Sequence, residues 1–191
     1  MHRAESLIAH TLADPVNVRV LEVLESLEIP DAWLVSGCVF QAVWNGLTGR
    51  PPGYGINDYD VFYFDPDTSY EAEDAVIKSC AAALSDITAE VQVRNQARVH
   101  LWYPQKFGKP YAPLASAAEG ISRFLAPCCA VGLRRVAGAF EIAAPFGLDD
   151  LFAMIVRPNP RTTGPEDQYD AKAARWKSKW PEISVLPWQT R

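Results

Sequence analysis

Residues 55–65, Gly-Ile-Asn-Asp-Tyr-Asp-Val-Phe-Tyr-Phe-Asp, constrain the fold of this chain more than any other stretch. Val61 to Phe64 are β-branched or aromatic and predict a buried strand over about 59–64. Alternation along a strand puts Asp58 and Asp60 on one face. Two ionised carboxylates so close repel each other unless water or a cation offsets the charge. Magnesium, or manganese in its place, is the natural partner, because hard cations take oxygen ligands. The plainer alternative makes both aspartates the polar end of a loop that runs into a strand.

The flanking segments give this strand its setting. Val16, Val20, Val23, Leu24 and Leu27 recur at helical spacing and predict a helix over 15–28, opened by Asp14-Pro15. Ala32 to Val35 reads as a short buried strand that hands over at Ser36-Gly37 to a helix over 38–47. Thr48 to Gly55, with three Gly and two Pro, is a loop. A third helix is expected over 67–84, capped by Ser69 with acids at its positive end. Ile87 to Val93 alternates as a strand, and Arg98 to Trp102 reads as its antiparallel partner across residues 94–97. Further on, a helix is expected over 116–125, a hairpin around Gly138, a short helix over 148–155, and a final helix over 169–180 with its lysines and Arg175 in solvent.

The bulk properties exclude some functions. With 191 residues the chain can bury one sizeable core. The expected division is a core over 1–110 and an extension over 111–191 packed on it, the alternative being one continuous domain. A net charge of −5 argues against an extended grip on nucleic acid. Cys38, Cys80, Cys128 and Cys129 have neither metal-ligand spacing nor a disulfide framework and read as reduced core thiols. No run approaches the roughly 20 apolar residues of a membrane span, and the N-terminus lacks a signal-peptide core, so a cytoplasmic protein is expected.

Put in order, the chain reads strand, Ser36-Gly37, helix, loop, Asp58-x-Asp60 strand, helix, strand with Glu90. A glycine where a strand meets a helix lets backbone amides approach a phosphate, and the helix dipole favours the anion. Glu90 supplies a third carboxylate on a strand expected near the first. Three such groups suit two divalent cations about 4 Å apart, as phosphoryl transfer uses.

The pattern resembles the DNA polymerase β-like nucleotidyltransferases: an apolar strand, Gly beside a small residue, Asp-x-Asp, and a later single acid. Within them it is similar to a small bacterial nucleotidyltransferase family. The likeness runs through Trp44-Asn45, Asp58 to Asp65, Ser69 to Glu73, Asn95 to Tyr103, Pro145 to Phe152 and Arg157 to Pro160. It implies an α/β (α+β) nucleotidyltransferase fold, a small mixed sheet flanked by helices with a C-terminal extension. It also implies magnesium-dependent transfer of a nucleotidyl group from an NTP to a small-molecule or protein acceptor. By position, Asp58, Asp60 and Glu90 match the metal ligands, and Ser36-Gly37 matches the phosphate-facing turn. Two departures stand out: Cys38 where most members carry Ser, and a Pro/Gly loop that lengthens the gap to Asp58.

Asn95 and Arg98 form a further polar cluster with His100. Arg98 meets a substrate anion with Asn95 orienting it, or pairs with a local acid beside a turn-forming Asn. Rival readings of the whole chain are a catalytically weak nucleotide-binding or partner-binding protein, such as one member of a toxin–antitoxin pair, and a metal-dependent phosphohydrolase.

Overall fold

The computed structural model describes residues 2–188. In chain order the elements are α1 (Arg3–Leu12), α2 (Pro15–Ser26), β1 (Trp33–Val35), α3 (Gly37–Thr48), β2 (Asp58–Tyr63), α4 (Tyr70–Ala83) and β3 (Glu90–Asn95). There follow α5 (Val99–Phe107), α6 (Ala117–Ile121), β4 (Gly132–Val136), β5 (Ala139–Ala143), α7 (Asp149–Phe152), β6 (Ile155–Val156), α8 (Glu166–Lys179) and β7 (Ser184–Val185). Five strands form one mixed sheet in the order β3-β2-β1-β4-β5. Only β2 and β3 run parallel within it, joined across α4; the other neighbours are antiparallel. The expected α+β class, a small mixed sheet flanked by helices, is what the chain forms.

Alternation along β2 sorts its two faces. Tyr59, Val61 and Tyr63 are buried in the main core with α2, α3 and α4 residues, such as Val20, Leu24, Phe40, Val43 and Cys80. Asp58, Asp60 and Phe62 project the other way. There Phe62 joins a second apolar cluster built on Trp33, Val35, Ala117, Ile121 and Ala130, and its ring stacks on Phe124 at 5.3 Å. An aspartate between these residues is therefore drawn into a partly dry setting by its own strand.

The C-terminal residues share both the sheet and the core. β4 and β5 extend the sheet beyond β1. Trp176 and Trp180, at the end of α8, lie edge-on to Trp44 of α3 with ring centroids 6.1 and 5.5 Å apart. Trp44 Nε1 donates to Leu151 O at 3.1 Å, and Trp180 Nε1 to Asn45 Oδ1 at 3.0 Å. Buried indoles need a partner for their N–H, and these bonds supply it. Trp44-Asn45 is thus part of the core, clamping α8 to α3.

Several expectations need correction. Arg98 to Trp102 is no antiparallel strand. Asn95 ends β3, its side chain accepts from Ala97 N at 3.0 Å, and the chain turns through a short 3₁₀ segment into α5. Arg98 and His100 therefore share no strand face. β3 lies at 90–95 rather than 87–93, which puts Glu90 at its first residue. α1 is unanticipated. The segment over 148–155 divides into α7 and the start of β6, and the 116–125 helix shrinks to α6. Ser69 does cap α4, accepting from Ala72 N at 3.2 Å, and the hairpin around Gly138 forms as expected.

Candidate active site

Parallel pairing of β2 with β3 builds the site. Asp58 lies beside Glu90, Asp60 beside Gln92 and Phe62 beside Arg94, so all six side chains share one face of the sheet. Gln92 Nε2 donates to Glu90 Oε1 at 2.8 Å and makes a longer contact of 3.5 Å with Asp58 Oδ2. An amide thus stands between these two carboxylates. Among the described residues no group of three or more His, Cys, Asp or Glu side chains is assembled to hold a metal ion.

Asp60 is the electrostatically unusual member. Its carboxyl is pushed up from the ordinary 3.8 to about 6, first by burial and then by repulsion from Asp58. Lys172 and Arg94 pull it down, and Glu90 adds a smaller push upward. A carboxylate disfavoured by burial and by a like charge is a fit for a divalent cation, which removes both penalties at once. The aspartate pair suits such an ion, with Glu90 next in register.

At the end of β1, Ser36 takes φ +57°, a backbone region that an L side chain rarely occupies. Such strain costs on the order of 1–3 kcal/mol and concentrates at functional turns. Ser36 N donates to Val131 O at 3.0 Å, and Ser36 O accepts from Val39 N and Phe40 N, each at 2.9 Å. Gly37 and Cys38 then open α3 with N–H groups that have no acceptor inside the helix. The strained position is Ser36, not the glycine beside it. Cys38 is fully buried, its thiol facing Val35 O at 3.3 Å, and burial pushes that thiol well up. It offers nothing to a phosphate.

Ser36, Asp60 and Gln92 line a cleft of about 410 Å³. Four cations reach it: Arg94 from β3, Lys106 from α5, Arg123 after α6 and Lys172 from α8. Arg123 is held by Glu119 at 3.1 Å. Arg94, Lys106 and Lys172 are in no salt bridge among the described residues, in a chain whose net charge is −5. Lys172 is exposed, as expected, and lies at the cleft one turn before Trp176. Sequence reading missed these cations. The only signal was the Glu90-Gln92-Arg94 alternation on β3; a lysine on an amphipathic helix gives none.

Asn95 and Arg98 lie elsewhere. Asn95 is buried, accepting from Asp65 N at 3.1 Å and donating to Asp65 O at 2.9 Å and Asp67 O at 3.3 Å. Arg98 Nε meets Glu73 Oε2 at 3.0 Å, and its guanidinium also donates to Ser69 O. Glu73 in turn accepts from Asn95 N at 2.9 Å. Together they tie the end of β3 to the start of α4, and neither lines the cleft.

No curated protein sequence matches this chain. Among solved structures it is similar to an NMR structure described as revealing a CCA-adding enzyme head domain. The two are 28% identical with a TM-score of 0.74, and the match covers 96% of this chain and 95% of the other. A sequence model described as nucleotidyltransferase matches residues 22–185, from α2 to β7 and across the whole cleft. The chain belongs to the nucleotidyltransferase family.

Proposed function

We propose that the chain transfers a nucleotidyl group from an NTP to an acceptor hydroxyl, with magnesium or manganese as cofactor. Asp60 carries this reading. It is a partly buried acid with a raised pKa, beside a second aspartate, at the edge of a cleft where Arg94, Lys106 and Lys172 are in no salt bridge among the described residues. The likeness to a structure described as a CCA-adding enzyme head domain supports the same reaction class.

Asp58 and Asp60 would hold the cation, with Glu90 available beside Asp58 once its carboxylate leaves the Gln92 amide. When bound, a divalent ion neutralises charge on the reacting phosphate and lowers the pKa of an attacking hydroxyl. Arg94 and Lys172 would bind the triphosphate, and their positive charge favours the ionised form of Asp60. The Ser36-Gly37 turn adds backbone N–H donors and a helix dipole for the same anion. The acceptor oxygen bonds to the α-phosphorus as the bond to the leaving pyrophosphate breaks, so the residues mainly position and neutralise. Phe62, Phe124 and Trp176 line the apolar side of the cleft, next to Asp60.

The test is incubation with each α-labelled NTP, magnesium or manganese, and a host-cell small-molecule extract. Label transfer with release of pyrophosphate is the expected result. Absence of both with all four NTPs would overturn the reading.

A further inference from the structure

The chemistry above uses only the acidic and cationic part of the cleft. Facing it, Trp102, Tyr103 and Phe107 of α5, joined by Tyr111, form a wall of rings. Tyr103 lies 4.6 Å from Phe107 and 4.5 Å from Tyr111, centroid to centroid, and Trp102 lies 6.0 Å from Tyr103. Thr163, from the segment before α8, donates to the Tyr103 hydroxyl at 3.1 Å and fixes that ring. Trp102 keeps 37% of its surface in solvent, with Lys106 Nζ 5.7 Å from its ring. The core indoles Trp44 and Trp180 have no exposed surface. A tryptophan left open in a cleft, with a lysine over its ring edge that is in no salt bridge among the described residues, has the surface and the charge that a base carrying phosphate would meet.

We propose that this wall is a stacking subsite for the nucleobase of a phosphorylated nucleoside, with Trp102 as the platform and Lys106 beside the phosphate. The proposal rests on the nucleotidyl-transfer reading and adds where a base sits. Stacking on an aromatic ring is tolerant of base identity, because every base has a π-face. The base can be that of the NTP or the terminal base of a nucleotide acceptor.

Calorimetric titration of the full chain distinguishes them. The probes are ATP, inorganic tripolyphosphate and a single-stranded hexa-adenylate, each with wild type, Trp102→Ala and Trp102→Phe. Trp102→Ala is expected to weaken one nucleotide probe about tenfold, to leave tripolyphosphate unchanged, and to be restored by Trp102→Phe. Weakening of ATP assigns the donor's base; weakening of hexa-adenylate alone assigns the acceptor's. Equal losses for ATP and tripolyphosphate, no loss for any probe, or failure of phenylalanine to restore binding overturns the subsite. Ring-dependent binding without label transfer would overturn the catalytic reading and leave the subsite standing. Transfer with ring-independent binding would do the reverse.

Discussion

Strand β3 serves two polar clusters of opposite character. At its C-terminal end Asn95 works with Arg98, Glu73 and the Asp65–Ser69 loop, where each charge has a partner and the buried amide of Asn95 is satisfied at both ends. Earlier along the strand, Gln92 and Arg94 share a face with Asp60, whose carboxyl is raised to about 6, and among the described residues Arg94 and Lys172 are in no salt bridge. The first arrangement stabilises a fold. The second is a cost to the fold that a bound, charged ligand would remove. Satisfaction of polar groups therefore separates structure from function better here than residue type does, since both clusters contain arginines and acids.

The largest effect should come from the unsatisfied cluster. Asp60→Asn should lower pyrophosphate release at least a thousandfold, about 4 kcal/mol of transition-state stabilisation, in steady-state assays with magnesium. Asn95→Ala should act on the other cluster, lowering unfolding free energy by about 2–3 kcal/mol through its lost buried bonds, as read by urea titration. The folded fraction of that variant should keep near-wild-type turnover; a thousandfold loss would move Asn95 into the site. Lys172→Ala should be milder, raising KM for the NTP about tenfold or more, worth about 1.4 kcal/mol or more of binding, with little change in melting temperature.

How much of this was legible in the sequence follows the same division. The strand with Asp58 and Asp60, the helix after Gly37 and the Ser69 cap rest on local signals, namely period-two alternation, apolar spacing and a capping hydroxyl, and they form as expected. Arg98-Val-His-Leu-Trp alternates well enough to read as a strand, yet it follows a buried Asn95 that binds the β2–α4 loop and turns the chain into α5. That choice is made by a contact with residues 30 positions earlier, which local pattern does not encode. The acidic part of the site was readable for the same reason that β2 was. Its cations were not, because β3, α5, the segment after α6 and α8 each contribute one, and an exposed lysine on α8 looks the same whether or not a cleft lies beside it.

The pH dependence of stability tests the central claim most directly. Asp60 binds its proton more tightly in the folded chain than in the unfolded one. Asp60's contribution to stability should therefore fall as pH rises from about 4 to about 6, then stay lower, by about 1–3 kcal/mol. Replacing the acid with an isosteric amide removes that penalty. Melting temperatures of wild type and Asp60→Asn should be compared in EDTA from pH 4 to pH 8, then at pH 8 with magnesium. The variant should melt a few degrees higher at pH 8 and equal to wild type at pH 4, and magnesium should raise only the wild type. An Asp60→Asn protein that melts at or below the wild-type temperature at pH 8 without metal would contradict the account, making Asp60 a supporter of the fold rather than a charge held for a ligand.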